Sequence, residues 1–239
     1  MTTFLRADWQ NIIMVNYVVD KNLLLPYLPY GVELDFYNDQ PFISLVGFKF
    51  ANSKIAGVPI PLFGSFDEVN LRFYVQRKAD NKVKRGVVFI SEIVPHKIVS
   101  LLANKLYKEH YTTAKMSSII AIKDQTKNIK YTWQRQSEIY AIDAAFSTEQ
   151  NYIKPNSLEE FIYEHYYGFT KVSATETWEY KVNHPNWQTN KLKSAKVICN
   201  FKNLYGDSFE FLNHQEPFSV YNAVGSNVSI DWKINKIVK

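Results

Sequence analysis

Hydrophobic and β-branched residues recur along the chain in short runs separated by a few polar residues. Such runs predict β-strands, because flat and branched side chains pack well on a pleated surface. The polar turns between them are short, as at 38–39, 79–81 and 124–126, and favour a meandering antiparallel sheet without long parallel crossovers. The predicted strands lie at residues 12–19, 42–50, 69–75, 87–94, 117–122, 129–133, 139–146, 172–182, 195–201 and 219–230.

Two short helices are expected where a polar cap precedes apolar residues. Asp20 is suited to cap a helix through residues 23–25, which the pair of Pro26 and Pro29 then ends. Ser157 and Glu160 form a capping box that opens another helix. The apolar positions of that helix and the glycine beyond its end are Phe161, Ile162 and Gly168.

A further helix is predicted after Pro95, because proline is well tolerated in the first turn of a helix, where its missing N–H has no partner. Four apolar residues would share one face of this helix and are interpreted as core. They are Ile98, Leu101, Leu102 and Leu106.

The composition supports one soluble domain over residues 1–239, mainly β with a few peripheral helices. Hydrophobic residues make up 46% of the chain and aromatic residues 15%, which excludes a disordered protein. The single cysteine, Cys199, cannot form an internal disulfide, and neither an export signal nor a membrane span is evident, so a cytoplasmic location is expected.

The formal net charge is +5, but the basic residues are dispersed and concentrate only at Lys233, Lys236 and Lys239. Without a basic helix or an aromatic RNA-binding motif, this charge does not predict a nucleic-acid partner. The four histidines with no metal-binding spacing, together with one cysteine, predict no metal site, and the absence of phosphate-loop and dinucleotide-binding motifs predicts no cofactor. Those histidines are His110, His165, His184 and His214.

The segment 66–75 alternates strictly between polar and apolar residues. In a strand, the apolar residues would share the face that packs on a core. The polar face either points to water, as is common in antiparallel sheets, or lines a polar pocket in which Arg72 binds a carboxylate. The polar residues are Glu68, Asn70, Arg72 and Tyr74.

The next strand contains one charged residue, Glu92, in apolar surroundings. Its carboxylate is expected to reach solvent at a sheet edge, or to be buried beside Arg72 or Lys97 with a raised pKa. Lys97 would lie in the first turn of a helix, where the helix dipole lowers the pKa of an amine. It is therefore a candidate amine nucleophile for a carbonyl substrate, although many lysines at helix starts are simply exposed.

Several stretches together resemble the YqjF-like family of uncharacterised bacterial proteins, which is related in fold to acetoacetate decarboxylases. The resemblance covers most of the chain up to about Trp187 and is looser beyond it. The stretches are NYVVD at 16–20, LPYGVELD at 28–35, FISLVGF at 42–48, GVPIP at 57–61, EVNLRFYV at 68–75, RGVVFISEIVP at 85–95, ANKLY at 103–107 and YKVNHPNW at 180–187.

The resemblance implies a large curved antiparallel sheet that closes into a barrel around a central cavity. It also implies that Glu92, His96 and Lys97 correspond to the decarboxylase run of a glutamate, a proline and two lysines. His96 falls at the Schiff-base lysine, Lys97 falls at its neighbour, and Ser44 replaces a glutamate of the decarboxylases. These departures argue against acetoacetate decarboxylation itself.

Three functions remain open from the sequence. The first is an enzyme acting on a small carbonyl or carboxylate compound, with Lys97 or His96 as the reactive group and Arg72 holding an anionic end. Glu92 is its third candidate catalytic residue. The second is a barrel that binds a small polar or anionic molecule without catalysis, through Glu68, Asn70, Arg72, Tyr74 and Ser44. The third is a structural or protein-interaction domain, in which exposed aromatic residues form a homodimer surface. The candidate dimer residues are Tyr27, Tyr30 and Trp187.

Overall fold

A computed structural model describes residues 3–60, 63–79 and 81–239 and consists mainly of β-strands joined in one sheet. The predicted turn at 79–81 and the stretch 57–61 are thus only partly described, since Asp80 and Pro61 lie outside these ranges. The described strands are β1 (Thr3–Val18), β2 (Glu33–Leu34), β3 (Phe42–Ile55), β4 (Val58–Pro59), β5 (Phe66–Ala79), β6 (Lys82–Val94), β7 (Tyr111–Thr113), β8 (Lys115–Lys123), β9 (Thr126–Arg135), β10 (Glu138–Tyr152), β11 (Tyr167–Lys171), β12 (Glu176–Asn183), β13 (Gln188–Ile198) and β14 (Ser219–Val238).

Seven of these strands close into a barrel. Their order is β1, β3, β5, β6, β11, β12 and β14, and antiparallel pairing of β1 with β14 closes the ring. The remaining long strands, β13, β10, β9 and β8, extend from β14 as an outer layer. The prediction of a mainly β protein with a curved sheet closing into a barrel is therefore confirmed.

Two pairings depart from the predicted antiparallel meander. Strand β6 pairs in parallel with β7 on one side of its C-terminal end and with β11 near Gly86 and Val87. The chain between β6 and β11 passes through the outer layer before it returns, so the expectation of no parallel crossover is wrong. Strand periodicity reveals where strands are, but it does not reveal which strands become neighbours.

Most barrel strands are buried on both faces because the outer layer covers one of them. Ile13, Leu45 and Leu71 on the barrel join one apolar cluster with Tyr131 and Ile142 of the outer layer. A second cluster fills the barrel interior and includes residues of β1, β3, β5 and β6. Side chains on the interior face therefore meet each other and not bulk water.

Four α-helices are described: α1 (Lys21–Leu24), α2 (Lys97–Tyr107), α3 (Leu158–Tyr163) and α4 (Phe201–Tyr205). Short 3₁₀ helices span Leu25–Tyr27 and Asp207–Asn213. The predicted caps are confirmed, since the Asp20 carboxylate accepts from the Asn22 N–H at 2.7 Å and the Ser157 hydroxyl from the Glu160 N–H at 3.1 Å. Gly168 lies within β11, and α4 was not expected because residues 195–201 were assigned to one strand.

Helix α2 differs from its prediction in two ways. It begins at Lys97, with His96 as the N-cap residue, so Pro95 precedes the cap and is not in the first turn. Its apolar side chains are not core, because Ile98 is 51% exposed and Leu101 69% exposed. No helix in the described ranges is long and apolar enough to span a membrane.

Candidate functional site

Strand β5 directs its polar residues into the barrel. Glu68, Asn70, Arg72 and Tyr74 are all buried, with Arg72 the most accessible at 9% exposure. The apolar residues between them, such as Leu71, pack in the cluster under the outer layer. The predicted alternation is thus confirmed, and its polar face points to the interior and not to water. Since burying such groups without partners is costly, this row requires an explanation.

Strand β6 adds Glu92 to the same interior face. Glu92 pairs with Asn70 across the β5 and β6 ladder, so the two side chains share one face of the sheet. The register then shifts, because Leu71 pairs with Ser91 whereas Arg72 pairs with Phe89. This β-bulge lets Glu92 and Phe89, three residues apart, both face the interior. Glu92 is only 1% exposed, so it is not at a solvent-facing edge.

Helix α2 fixes a tyrosine beside these acids. The Asn104 amide donates to the Tyr111 carbonyl at 2.9 Å and accepts from the Tyr111 N–H at 2.8 Å. The Ser100 hydroxyl donates to the same carbonyl at 3.0 Å. Held in this way, the Tyr111 hydroxyl donates to Glu68 Oε2 at 3.2 Å, while the Asn70 amide donates to Glu68 Oε1 at 2.9 Å.

These groups line an interior cavity of about 90 Å³. Glu68, Asn70, Arg72 and Glu92 from the predicted set all contribute to its wall, together with aromatic residues and two histidines. The aromatic residues and histidines of the wall are Trp9, Phe48, Phe50, Phe89, Tyr111, Tyr163, His165, Tyr167, Tyr180, His184 and Trp187.

Ser44 and Tyr74 do not line the cavity, although Tyr74 belongs to the apolar cluster of the barrel interior. Their hydroxyl oxygens are 2.5 Å apart, and the Ser44 hydroxyl also donates to the Asn16 side-chain oxygen at 2.6 Å. The Tyr74 ring makes a cation–π contact with Arg72, whose guanidinium carbon lies 5.7 Å from the ring centroid. The role of Ser44 and Tyr74 as direct ligand contacts stays a prediction.

Three buried glutamates meet around Tyr111 and Tyr180. Burial raises the pKa of Glu68 to about 7 and that of Glu109 to about 7, although hydrogen bonds oppose the shift at both. Burial and the neighbouring Glu109 and Glu68 raise the pKa of Glu92 well above its usual value. Ionising all of these acids together is costly in a low-dielectric interior, so they hold protons at a pH where exposed acids do not.

Among the described residues that line the cavity, Arg72 is the one lysine or arginine. No ion pair joins Arg72 to a carboxylate of the described residues, and its closest side-chain hydrogen bond is a weak one from Nη2 to Met14 Sδ at 3.4 Å. Its charge still lowers the pKa of Glu68. A buried guanidinium is normally paired bidentately with a carboxylate or phosphate. Arg72 therefore presents a strong anion-binding group to the cavity.

A histidine and an aspartate form a second polar unit in the cavity wall. His165 Nε2 lies 3.2 Å from Asp35 Oδ2, which also accepts from Arg85 Nε at 2.7 Å. Burial lowers the pKa of His165 to about 4, so its ring is neutral and donates from Nε2 to the Asp35 carboxylate. His165 Nδ1 is left as an acceptor at the cavity. No motif or spacing indicates this pair, because its members are 130 residues apart along the chain.

Six buried polar atoms of the cavity wall have no hydrogen-bond partner within the part of the chain that the structure describes. The same cavity thus concentrates donors, acceptors and one cation that a small polar molecule can satisfy. Within the described ranges, no three His, Cys, Asp or Glu side chains are grouped so that they could hold a metal ion. The six atoms are Trp9 Nε1, Asn70 Oδ1, Arg72 Nε, Glu92 Oε2, Tyr163 Oη and His165 Nδ1.

The other predicted catalytic residues lie outside the cavity. Lys97 is exposed at the start of α2, and His96 packs edge-on against the rings of Phe63 and Phe66 at 4.7 and 6.0 Å between centroids. Of the two partners expected for a buried Glu92, Arg72 lines the same cavity, and Lys97 is not among the described residues that line it. Trp187 is also displaced from its predicted dimer surface, since it is 5% exposed and lines the cavity.

Comparisons with known proteins agree with this fold. A family model named DUF2071, described as an uncharacterized conserved protein, matches residues 6–226. The uncharacterized protein YqjF of Bacillus subtilis is 28% identical over 190 residues, which cover 76% of this chain and 73% of that protein.

Two solved structures share the fold at low sequence identity. Acetoacetate decarboxylase from Legionella pneumophila superposes with a TM-score of 0.65 at 14% identity, covering 98% of this chain and 89% of that one. The enduracididine biosynthesis enzyme MppR, solved with pyruvate, gives a TM-score of 0.63 at 10% identity and covers 99% of this chain and 91% of that one. The fold is therefore that of acetoacetate decarboxylase, and by its family match the chain belongs to the DUF2071 family.

Proposed function

We propose that the protein binds a small organic acid in the barrel cavity, with the acid carboxylate paired to Arg72. The observation that carries this proposal is the buried Arg72 guanidinium, whose Nε has no partner among the described residues and which lines the cavity. A buried charge that has lost its partner destabilises a protein by about 3 to 5 kcal/mol. A ligand carboxylate would offset that cost with two parallel hydrogen bonds.

The charge balance of the cavity favours a monoanion. The raised pKa of Glu92 keeps a proton on this acid, and the lowered pKa of His165 keeps its ring neutral. Arg72 then supplies positive charge, while protonated Glu92 and neutral His165 supply a donor and an acceptor. Such groups suit an acid that also has a carbonyl or hydroxyl oxygen.

The fold comparison supports the same class of ligand. MppR, which shares the fold, was solved with pyruvate, a small 2-oxo acid. None of the described residues that line the present cavity is a lysine, so a Schiff base with such an acid has no amine to form on. The proposal is therefore binding of the acid by charge and hydrogen bonds and not by covalent attachment.

The test compares Arg72→Met with Lys97→Met by isothermal titration with pyruvate. Each variant removes one cation, but only Arg72 lines the cavity. We expect Arg72→Met to weaken binding by about 10- to 100-fold, the value of one charge-assisted pair, and Lys97→Met to bind as the parent does. Unchanged affinity of Arg72→Met would refute the proposal.

Thermal melting of the same variants separates binding from folding. Met has no charge to desolvate, so Arg72→Met should melt no lower than the parent without ligand. Pyruvate should then raise the melting temperature of the parent and of Lys97→Met but leave that of Arg72→Met unchanged.

A further inference from the structure

A second space, the apolar groove, runs beneath helix α2. Its volume is about 120 Å³, and its wall is made mostly of carbon side chains. Ile98 and Leu102 of α2 border it and are 51% and 43% exposed, whereas Phe4 and Phe66 lie deeper and are 7% and 8% exposed. The groove therefore descends from the protein surface and is not a flat exposed patch.

The apolar groove adjoins the cavity of Arg72. Six residues line both spaces, so only shared side chains, among them Glu68, Tyr111 and Tyr180, stand between the two. Polar groups occur at this inner end and at Ser53 and Glu109, whereas the α2 side chains that line the groove between Ile98 and Leu106 are apolar. The shared residues are Leu5, Phe50, Glu68, Tyr111, Tyr180 and Ile230.

The cavity and the groove together are complementary to an amphipathic molecule, which has one charged end and one apolar end. A charged group is matched by Arg72 in the interior, and a hydrocarbon chain is matched by the groove leading to the surface. Exposed apolar side chains at Ile98 and Leu102 are unfavourable in water, and an alkyl chain would cover them. A flat protein partner would not reach the deeper Phe4 and Phe66.

We infer that the ligand is a carboxylic acid with an alkyl tail, its carboxylate on Arg72 and its tail in the apolar groove. This inference rests on the proposed function for the head group and adds the class of the tail. Affinity should then rise with chain length, because each methylene that enters the groove leaves water.

The experiment measures dissociation constants by isothermal titration for acetate, butyrate, hexanoate and octanoate. We expect about fourfold tighter binding per methylene, which is ~0.8 kcal/mol, and thus about 15-fold between butyrate and hexanoate. Ala103→Trp fills the groove from α2 and should reduce that ratio to less than about threefold while acetate binding stays as in the parent. Leu101→Trp is the matched control on the same helix, since Leu101 does not line the groove.

The outcomes separate the tail from the head. If acetate binding depends on Arg72 but affinity does not grow with chain length, the tail inference fails and the proposed function stands. If octanol binds as tightly as octanoate to both the parent and Arg72→Met, the carboxylate has no role, and both the head assignment and the proposed function fail. Thermal melting of Ala103→Trp shows that it is folded, which keeps a loss of the ratio interpretable.

Discussion

Two glutamates of the barrel strands, Glu179 and Glu92, are almost completely buried but differ in their hydrogen-bond partners and in their pKa values. Glu179 on β12 is 0% exposed and accepts from Lys84 Nζ at 2.5 Å, Arg77 Nη1 at 3.1 Å and Asn235 Nδ2 at 2.9 Å. Glu92 on β6 is 1% exposed, and its Oε2 has no partner among the described residues. Burial alone therefore does not distinguish a structural charge from a candidate site.

The two environments push the acids in opposite directions. At Glu179, burial raises the pKa, but the hydrogen bonds and charges of Lys84, Asn235 and Arg77 outweigh it and lower the pKa. At Glu92, burial and two neighbouring acids raise the pKa well above its usual value. The first acid is ionised and permanently paired, whereas the second is held protonated. Perturbed acids of the second kind are typical of functional sites.

The largest effect should come from breaking the paired region. Glu179→Gln removes the charge that compensates Lys84 and Arg77, which are only about a quarter exposed or less. We expect the free energy of unfolding to fall by about 3 to 4 kcal/mol at pH 7 in urea titrations. Pyruvate affinity, measured on the folded protein, should not change, because Glu179 does not line the cavity. A loss of affinity without a loss of stability would reverse the roles assigned to the two regions.

In the cavity, replacing a buried glutamate should stabilise the protein relative to the parent as the pH rises, in contrast to Glu179→Gln. An acid whose pKa is about 7 in the folded protein and about 4.5 when unfolded binds more protons in the folded state between these values, so its ionisation destabilises the fold as pH rises. Glu68→Gln cannot ionise and avoids this loss. We therefore expect its unfolding free energy, relative to the parent, to increase by about 2 to 3 kcal/mol from pH 5 to pH 8.

Comparison with the parent at each pH is essential, because His165, with its lowered pKa, contributes a dependence of opposite sign below pH 6.5. That contribution is common to both proteins and cancels in the difference. A difference that stays constant between pH 5 and pH 8 would contradict the raised pKa of Glu68. Glu179→Gln serves as the control, since the pKa of Glu179 is lowered and its titration lies below this window.

The sequence predicted the polar residues of β5 better than the rest of the cavity wall, because the pattern that reveals them is local in the chain. Glu68, Asn70 and Arg72 lie two residues apart on one strand, so the period of that strand places them together without any tertiary information. Glu92 was also recognised, because one charge in an apolar strand is a local anomaly. The caps at Asp20 and Ser157 are equally local.

The features that the sequence did not predict depend on which distant segments of the chain come into contact. Asp35 and His165 approach through the closure of the barrel, and no spacing rule links them. Trp187 was expected on the surface, but it lines the cavity from the short segment between β12 and β13. The apolar face of α2 was interpreted as core because its periodicity is the same whether the face meets protein or borders an open groove. Helical periodicity identifies an apolar face but not what covers it.

The smallest effect is expected at Lys97, and it sharpens the comparison with Glu92, only five positions away. Lys97 is exposed at the first turn of α2, and the described residues that line the cavity do not include it. Lys97→Ala should change the free energy of unfolding by less than about 0.5 kcal/mol, as is usual for an exposed residue without buried partners.

Borohydride reduction with pyruvate, followed by mass spectrometry, should add no mass at Lys97 in the parent protein. A Lys97 adduct that forms in the parent and disappears in Lys97→Ala would restore the Schiff-base hypothesis. It would also mean that the first turn of α2 moves to the cavity. The absence of that adduct, together with pyruvate binding that depends on Arg72, would instead leave charge pairing inside the barrel as the means by which the acid is held.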